Sequence, residues 1–196
     1  MNNFGLITPT DAANLEFGIF GLIDELYLQT ISVLEIGVHD GHTARAMKEL
    51  VESIGVQIDY VGIDSQRDKK IFPPFAGARL ILKNSVDAYW EAPVSDIVIV
   101  DGCHNLQSTA TDFLLYKDRV RPGGLFFFHD TGKHIKPFTD YQGSGDAENP
   151  DNWIACRRAL DLLGLYDAPE LRGFVLLLDS ADEDYHTGGY TIFRKL

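Results

Sequence analysis

The sequence has few cysteines, few basic residues and no long apolar run. Its 196 residues include only Cys103 and Cys156, which form neither the paired spacing of a zinc site nor a disulfide framework. Lysine and arginine number 17 against 29 acidic residues, and the resulting net charge of −12 disfavours binding to nucleic acid or to an anionic membrane. No run approaches the length of a bilayer span, and the first residues lack the basic and apolar regions of a signal peptide. We therefore expect a cytoplasmic protein that acts on a small molecule.

The composition indicates one globular domain. Apolar residues make up 45% of the chain and charged residues 23%, and no change of composition divides it. We expect a single domain over residues 1–196, with a helical cover formed by residues 1–29. The stretch 132–151 contains several prolines and glycines but no periodic pattern, which in compact domains is typical of a functional lid. We expect it to act as a lid over the substrate.

Short apolar runs alternate with segments of helical periodicity. The runs predict five parallel strands at residues 31–36, 58–63, 79–82, 97–100 and 125–128, with helices near 43–54, 105–119 and 152–163. Two further runs, 174–178 and 189–193, follow without a helix between them and should pair antiparallel. The pattern predicts an α/β fold: a doubly wound, mainly parallel, seven-stranded sheet that ends in an antiparallel β-hairpin.

A glycine loop follows the first predicted strand and opens a helix. The strand ends near Glu35, and Gly37 and Gly41 allow the backbone to turn tightly and to approach a ligand. A dinucleotide site has the pattern G-x-G-x-x-G, but here His39 stands in the place of the second glycine and would crowd a pyrophosphate. The loop therefore predicts a nucleotide-type ligand other than NAD.

The second predicted strand also ends in an acid. Asp64 follows Glu35 by about 29 residues. A carboxylate at this place can cap the following helix or accept hydrogen bonds from both hydroxyls of a ribose. Given the glycine loop upstream, ribose binding is the stronger interpretation.

The fourth and fifth predicted strands each end in an aspartate with a histidine nearby. Asp101 precedes His104 by three positions, and His129 directly precedes Asp130. Ligands of open α/β sheets bind beyond the carboxyl ends of the strands, so these side chains should converge on the crevice beside the glycine loop. Two carboxylates with one or two imidazoles suit a divalent cation or general acid-base chemistry.

These motifs resemble those of class I S-adenosylmethionine-dependent methyltransferases, whose first motif is an acid-x-Gly-x-x-x-Gly loop. Further motifs are similar in order and spacing to those of the small-molecule O-methyltransferases of the methyltransferase domain 24, or macrocin O-methyltransferase-like, group: Asp101-Gly102-Cys103-His104, Thr111-Asp112-Phe113, Arg121-Pro122-Gly123-Gly124 and Phe128-His129-Asp130. The resemblance covers roughly residues 30–195. It implies a Rossmann-like sheet and methyl transfer to a hydroxyl of a small molecule.

The resemblance also implies roles for particular residues. The expected S-adenosylmethionine site consists of Glu35, Gly37, Val38, His39, Gly41, Asp64, Ser65, Gln66, Asn84, Ser85 and Asp101. The expected catalytic residues are Asp101, His104 and Asp130, with His104 as a candidate base. In some relatives the positions matching Asp101, His129 and Asp130 bind a metal, so we expect these three as ligands of Mg²⁺ or Mn²⁺.

Three questions stay open from the sequence. An imidazole favours softer ions than Mg²⁺, so Mn²⁺ or Fe²⁺ are alternatives, and so is a metal-free route in which His104 takes the hydroxyl proton while Asp130 positions it. A metal-dependent oxygenase or lyase on the same fold, or a non-catalytic S-adenosylmethionine-binding protein, are the alternative functions. The first helix carries aromatic residues beside its apolar stripe that would allow a homodimer.

We expect Pro122–Gly124 to be a turn without chemistry.

Overall fold

A computed structural model describes residues 9–65, 73–132, 155–180 and 189–196 of the chain. The strands are β1 (Thr30–Ile36), β2 (Gln57–Ile63), β3 (Arg79–Ile81), β4 (Ser95–Val100), β5 (Val120–His129), β6 (Phe174–Asp179) and β7 (Tyr190–Lys195). The α-helices are α1 (Pro9–Leu26), α2 (His42–Ser53), α3 (Ser85–Ala88), α4 (Leu106–Tyr116) and α5 (Ala155–Leu162), and Tyr89–Glu91 and Pro169–Arg172 are 3₁₀ turns. The predicted lid, from residue 133 onward, and Gln66 lie outside the described residues. No helix within the described ranges is long and apolar enough to cross a membrane.

The strands form one sheet in the order β3-β2-β1-β4-β5-β7-β6. The first five strands run parallel, whereas β7 pairs antiparallel with both β5 and β6. The predicted mainly parallel sheet with its antiparallel end is therefore confirmed. The direction in which successive strands are added reverses between β1 and β4, and ligands of such sheets bind at the carboxyl side of that reversal.

Both faces of the sheet are covered by helices. Alternate residues of β1 point to opposite faces, so that Val33 packs with α1 and α2 while Leu34 packs toward α4 and α5. The second face has an aromatic centre made by side chains that are almost completely buried: Phe113, Phe126, Phe128, Phe174 and Phe193. Burial of each such ring contributes about 1.5–3 kcal/mol to the free energy of unfolding. This two-sided core fixes the strand ends that carry the acids.

The start of β5 differs from the sequence prediction. The strand begins at Val120. Ser95 and Ile97 of β4 are two residues apart, but their partners in β5, Val120 and Leu125, are five residues apart. The Pro122–Gly124 segment therefore lies in an irregularity inside the strand, and the prediction of a turn before the strand was wrong. Gly123 has a φ of +78°. Proline and a glycine in the left-handed conformation occur both in turns and in strand bulges, so the sequence does not distinguish these two structures.

Candidate active site

The glycine loop is fixed in place by backbone contacts to both neighbouring strands. Gly37 has a φ of +90°, and a Cβ atom added there would lie 2.1 Å from the carbonyl oxygen of Asp101. The Gly37 amide donates to the Ile63 carbonyl at 2.8 Å, and the Asp101 amide donates to the Ile36 carbonyl at 2.8 Å. Because the end of β4 lies against the loop, only glycine fits at this position.

Asp64 holds the loop from the end of β2. Its Oδ2 accepts hydrogen bonds from the backbone amides of Val38 at 3.0 Å and His39 at 2.9 Å, and the residue is 7% exposed. Gly41 has a φ of +71°, donates to the Val38 carbonyl at 2.7 Å and begins α2. The acid that the sequence assigns to a ribose thus also determines the shape of the loop.

A cavity of about 340 Å³ lies at the carboxyl ends of the strands beside this loop. Its size is in the range of pockets that bind small-molecule ligands. Its lining contains seven of the predicted donor-site residues, namely Gly37, His39, Asp64, Ser65, Asn84, Ser85 and Asp101. The fold thereby brings together predicted residues from four separate segments of the chain.

Of the predicted donor-site residues that the structure describes, three do not line the cavity. Val38 and Gly41 contribute through the backbone contacts of the loop. Glu35 is 1% exposed, and its Oε2 accepts a hydrogen bond from the Tyr60 hydroxyl. Burial raises the pKa of Glu35 to about 8, although the Tyr60 hydrogen bond opposes this shift. The described position of Glu35 is therefore beneath the loop, on the face of β1 that packs against Tyr60.

The acids and histidines of β4 and β5 form one compact cluster. The Nε2 atom of His104 lies 2.8 Å from Asp130 Oδ2 and 3.4 Å from Asp101 Oδ1. The Nδ1 atom of His129 lies 3.0 Å from Asp101 Oδ1 and 3.5 Å from Asp130 Oδ2. Asp130 has a φ of +56°, a conformation that costs energy for a non-glycine residue and recurs at functional sites. The convergence that the sequence predicts for these four residues is observed.

Charges of opposite sign balance each other in this cluster. Burial disfavours the charged imidazole, but the hydrogen bonds with Asp101 and Asp130 outweigh it and raise the pKa of His104 to about 10. The same carboxylates raise the pKa of His129 well above its usual value, against the effect of burial. Burial opposes ionisation of Asp101 and Asp130, yet the charge of His129 and the histidine hydrogen bonds hold their pKa values low. The carboxylates thus favour the charged form of the imidazoles, and the imidazoles favour the charged form of the carboxylates.

Three of these residues could hold a metal ion. Asp101, His104 and Asp130 each offer one ligand atom, and these atoms lie within 4.8 Å of one another. The group contains His104 where the sequence predicts His129. The ring of His129 instead packs on Tyr190 with a centroid separation of 4.6 Å while its Nδ1 contacts Asp101. Two carboxylate oxygens and one imidazole nitrogen form a donor set that suits Mn²⁺ or Fe²⁺ better than Mg²⁺.

Asp112 lines the cavity, although the sequence predicts no role for this acid. Asp112 lies on α4, one helical turn after Ser108, which also lines the cavity, and it is 2% exposed. The i, i+4 spacing of two polar residues on a helix that follows a ligand-binding strand is the signal that could have identified it.

The methyltransferase domain family model matches residues 34–131, from the end of β1 to the residue after Asp130. This match covers half of the chain and includes the glycine loop and the carboxylate cluster. The chain belongs to the methyltransferase domain family. No curated protein sequence matches the chain significantly.

Solved methyltransferase structures share the fold at low sequence identity. MycE methyltransferase from the mycinamycin biosynthetic pathway, in complex with Mg, SAH and mycinamycin VI, is 22% identical with a TM-score of 0.63, over 100% of this chain and 50% of its own. An O-methyltransferase from Bacillus cereus in complex with SAH is 13% identical with a TM-score of 0.60, over 97% of this chain and 82% of its own. An SAH-bound methyltransferase from Podospora anserina is 18% identical with a TM-score of 0.58, over 96% of this chain and 79% of its own.

These structures confirm the Rossmann-like methyltransferase fold that the sequence predicts. The chain spans about half the length of MycE. In this family member the glycine loop and the carboxylate cluster therefore lie on a methyltransferase sheet, at the edge where such sheets bind ligands.

Proposed function

We propose that this protein transfers a methyl group from S-adenosylmethionine to a hydroxyl of a small molecule. The observation that carries the proposal is the position of Asp101, which both lines the cavity beside the glycine loop and belongs to the carboxylate–imidazole cluster. Methyl transfer is an in-line displacement, so donor sulfur and acceptor oxygen must be held within a few ångströms of each other. A residue shared by both regions provides that proximity.

The donor would occupy the cavity with its ribose at Asp64. A carboxylate has about four acceptor positions, so Asp64 can accept ribose hydroxyls in addition to the two loop amides. Gly37, which cannot carry a side chain here, lets the donor approach the backbone. The SAH molecules in the MycE and Bacillus cereus structures support this assignment. The places of Glu35 and Gln66 in donor binding stay predictions from the sequence.

The acceptor hydroxyl would lie over the cluster. Where a divalent ion binds, Asp101, Asp130 and His104 would hold it, and its chemistry there would be to polarise the acceptor hydroxyl. The presence of Mg in the MycE complexes supports a metal, and the imidazole favours Mn²⁺ or Fe²⁺ over Mg²⁺ in this chain. His129 as a metal ligand stays a prediction.

His104 is the group placed to accept the hydroxyl proton. A ring that a metal holds through Nε2 cannot also take a proton through that atom, so this role belongs to the metal-free route, in which the His104 ring must first give up its own proton. Asp130 then fixes the ring through the contact to Nε2. The acceptor is proposed to be a small molecule, as mycinamycin VI is in the MycE complex.

The other functions considered from the sequence are not favoured by these matches. The family model and the similar solved structures are methyltransferases, and none of those described above is an oxygenase or a lyase. A homodimer and a cytoplasmic location stay predictions from the sequence.

Isothermal titration with S-adenosylmethionine and S-adenosylhomocysteine tests the donor site. We expect both to bind, and we expect Asp64→Ala to weaken binding at least tenfold because one acid supports both loop and ribose. Asp40→Ala is the matched control, since Asp40 lies in the same loop with a side chain that is 64% exposed. Absence of binding by the unmodified protein to either compound would contradict the proposal.

Transfer of a labelled methyl group to a panel of alcohols and phenols tests the reaction itself. We expect the double variant Asp101→Ala, His104→Ala to lose turnover while it retains donor binding within about tenfold. Full methyl transfer by that variant would contradict the catalytic roles of Asp101 and His104. If the unmodified protein binds the donor but methylates no acceptor, the non-catalytic alternative is favoured.

A further inference from the structure

Asp112 is a buried acid in the wall of the cavity. It lies on α4, is 2% exposed and lines the cavity together with Ser108 and residues 83–86. Burial raises its pKa to about 6, and a hydrogen bond with the Ser85 side chain opposes this shift. At neutral pH the fold therefore keeps a negative charge away from water at this place. Such burial of a charge is costly unless a partner stabilises it.

One oxygen of this carboxylate lacks a partner within the described part of the chain. The Ser85 hydroxyl interacts with the carboxylate, whereas Asp112 Oδ1 is buried and accepts no hydrogen bond from any described residue. An unpaired buried acceptor is unfavourable for stability, and native proteins rarely retain one without a use. Because Asp112 lines the cavity, a donor group on a bound ligand can supply the missing hydrogen bond.

Two other polar side chains at this end of the cavity, those of Lys83 and Asn84, already have protein partners. Asn84 caps α3, since its Oδ1 accepts from the Asp87 amide at 2.8 Å and its Nδ2 donates to Asp87 Oδ2 at 2.6 Å. The amine of Lys83 is paired with Glu91. The adenine-side residue that the sequence predicts, Asn84, is thus committed to the helix.

We propose that Asp112 is the specificity-determining residue for the base of the donor, with Oδ1 accepting a hydrogen bond from the exocyclic amino group of a 6-aminopurine. This inference rests on the proposed function, because it assumes that the ligand of the cavity is an adenosyl compound. A carboxylate accepts from an amino group but repels a carbonyl oxygen. The site should therefore favour adenine over hypoxanthine, which carries oxygen at the same position.

Comparison of S-adenosylhomocysteine with S-inosylhomocysteine tests the inference. The two ligands differ at position 6 of the base, where a carbonyl oxygen replaces the amino group, and at the adjacent N1, which carries a hydrogen in hypoxanthine and none in adenine. We expect the unmodified protein to bind the adenosyl compound about ten- to a hundredfold more tightly, the range of a hydrogen bond to a charged group. Equal affinity of the unmodified protein for both compounds would overturn the inference without any variant.

Asp112→Asn gives the second comparison. An asparagine can turn either its oxygen or its amide nitrogen toward the base, so we expect the preference to fall to within about threefold of unity. The control is Asp118→Asn, because Asp118 follows α4, has a side chain that is 70% exposed and does not line the cavity; it should keep the original preference. A ratio of affinities within one protein is insensitive to a general loss of stability, which affects both ligands equally.

The outcomes separate this inference from the proposed function. If the unmodified protein binds S-adenosylhomocysteine and Asp112→Asn keeps the full preference, Asp112 only links α4 to Ser85 and the inference fails alone. If the unmodified protein binds neither compound, the proposed function and the inference fail together.

Discussion

Glu35 is an acid that the fold holds in its protonated form. It is enclosed beneath the glycine loop with the Tyr60 hydroxyl as partner, and burial raises its pKa to about 8 from a usual value of 4.5. Between these two pH values the unfolded chain releases the Glu35 proton while the folded protein retains it. The contribution of Glu35 to the free energy of unfolding therefore falls as pH rises from 4.5 toward 8 and is constant above that.

The variant Glu35→Gln should remove this pH dependence. The amide is neutral at every pH, so the stability of the variant relative to the unmodified protein should rise by several kcal/mol between pH 5 and pH 8, since each pKa unit corresponds to about 1.4 kcal/mol. Urea unfolding of both proteins at the two pH values measures this difference in stability. Glu49→Gln is the control, because Glu49 is exposed. An equal stability difference at both pH values would show that Glu35 is ionised in the folded protein.

Gly37 is a position where space and backbone conformation both require glycine. We expect Gly37→Ala to lower the free energy of unfolding by at least about 2 kcal/mol more than Gly164→Ala does, because the added methyl group would collide with the Asp101 carbonyl. Gly164 has a φ of +72°, and no described heavy atom lies within 4 Å of an added Cβ, so it isolates the backbone cost. Equal losses in thermal or urea unfolding would mean that β4 moves aside easily.

The strand β4 carries an acid near each end, and the two acids serve different purposes. Asp101 follows the carboxyl end and belongs to the cavity and the cluster. Asp96, near the amino end, accepts from the Ser32 amide at 2.7 Å and the Ser32 hydroxyl at 2.6 Å and pairs with Arg121. In the sequence both are acids beside an apolar run, but only the carboxyl ends of parallel strands meet at the ligand edge.

Asp96→Ala should therefore destabilise the protein without changing the site. We expect the free energy of unfolding to fall by about 2–4 kcal/mol, because the half-buried Ser32 amide and hydroxyl and the Arg121 guanidinium lose their partner. The affinity of the folded protein for S-adenosylhomocysteine should stay within twofold. Asp59→Ala is the control, because it also removes an aspartate from a strand of the sheet, but at an exposed position. A large loss of affinity by folded Asp96→Ala would contradict the separation of the two ends of β4.

At the level of the whole molecule, the sequence predicts the features that depend on local patterns. The apolar runs and their spacing are enough to predict the parallel strands and the antiparallel end of the sheet. The glycine loop and the acids at the strand ends are enough to predict the position of the cavity. Features that depend on contacts between distant residues were missed. The bond from Tyr60 to Glu35 is one example, and the commitment of Asn84 to a helix cap is another.

Long-range contacts also explain why the side chains that form the site differ from those that the sequence predicts. Local spacing groups His129 with Asp130, but the folded arrangement brings His104 into the group with both carboxylates. Asp112 acquires its place only when α4 packs beside Ser85 and the cavity. Such contacts are set by the packing of elements against the sheet, which no short pattern encodes.

A crystal structure with S-adenosylhomocysteine and Mn²⁺ bound is the most direct test of the proposal that the cavity and the cluster form one methyl-transfer site. We expect the adenosine in the cavity with its ribose at Asp64, and the anomalous peak of the metal between Asp101 and Asp130. S-adenosylhomocysteine bound elsewhere on the molecule, or a metal peak away from both carboxylates, would contradict the account.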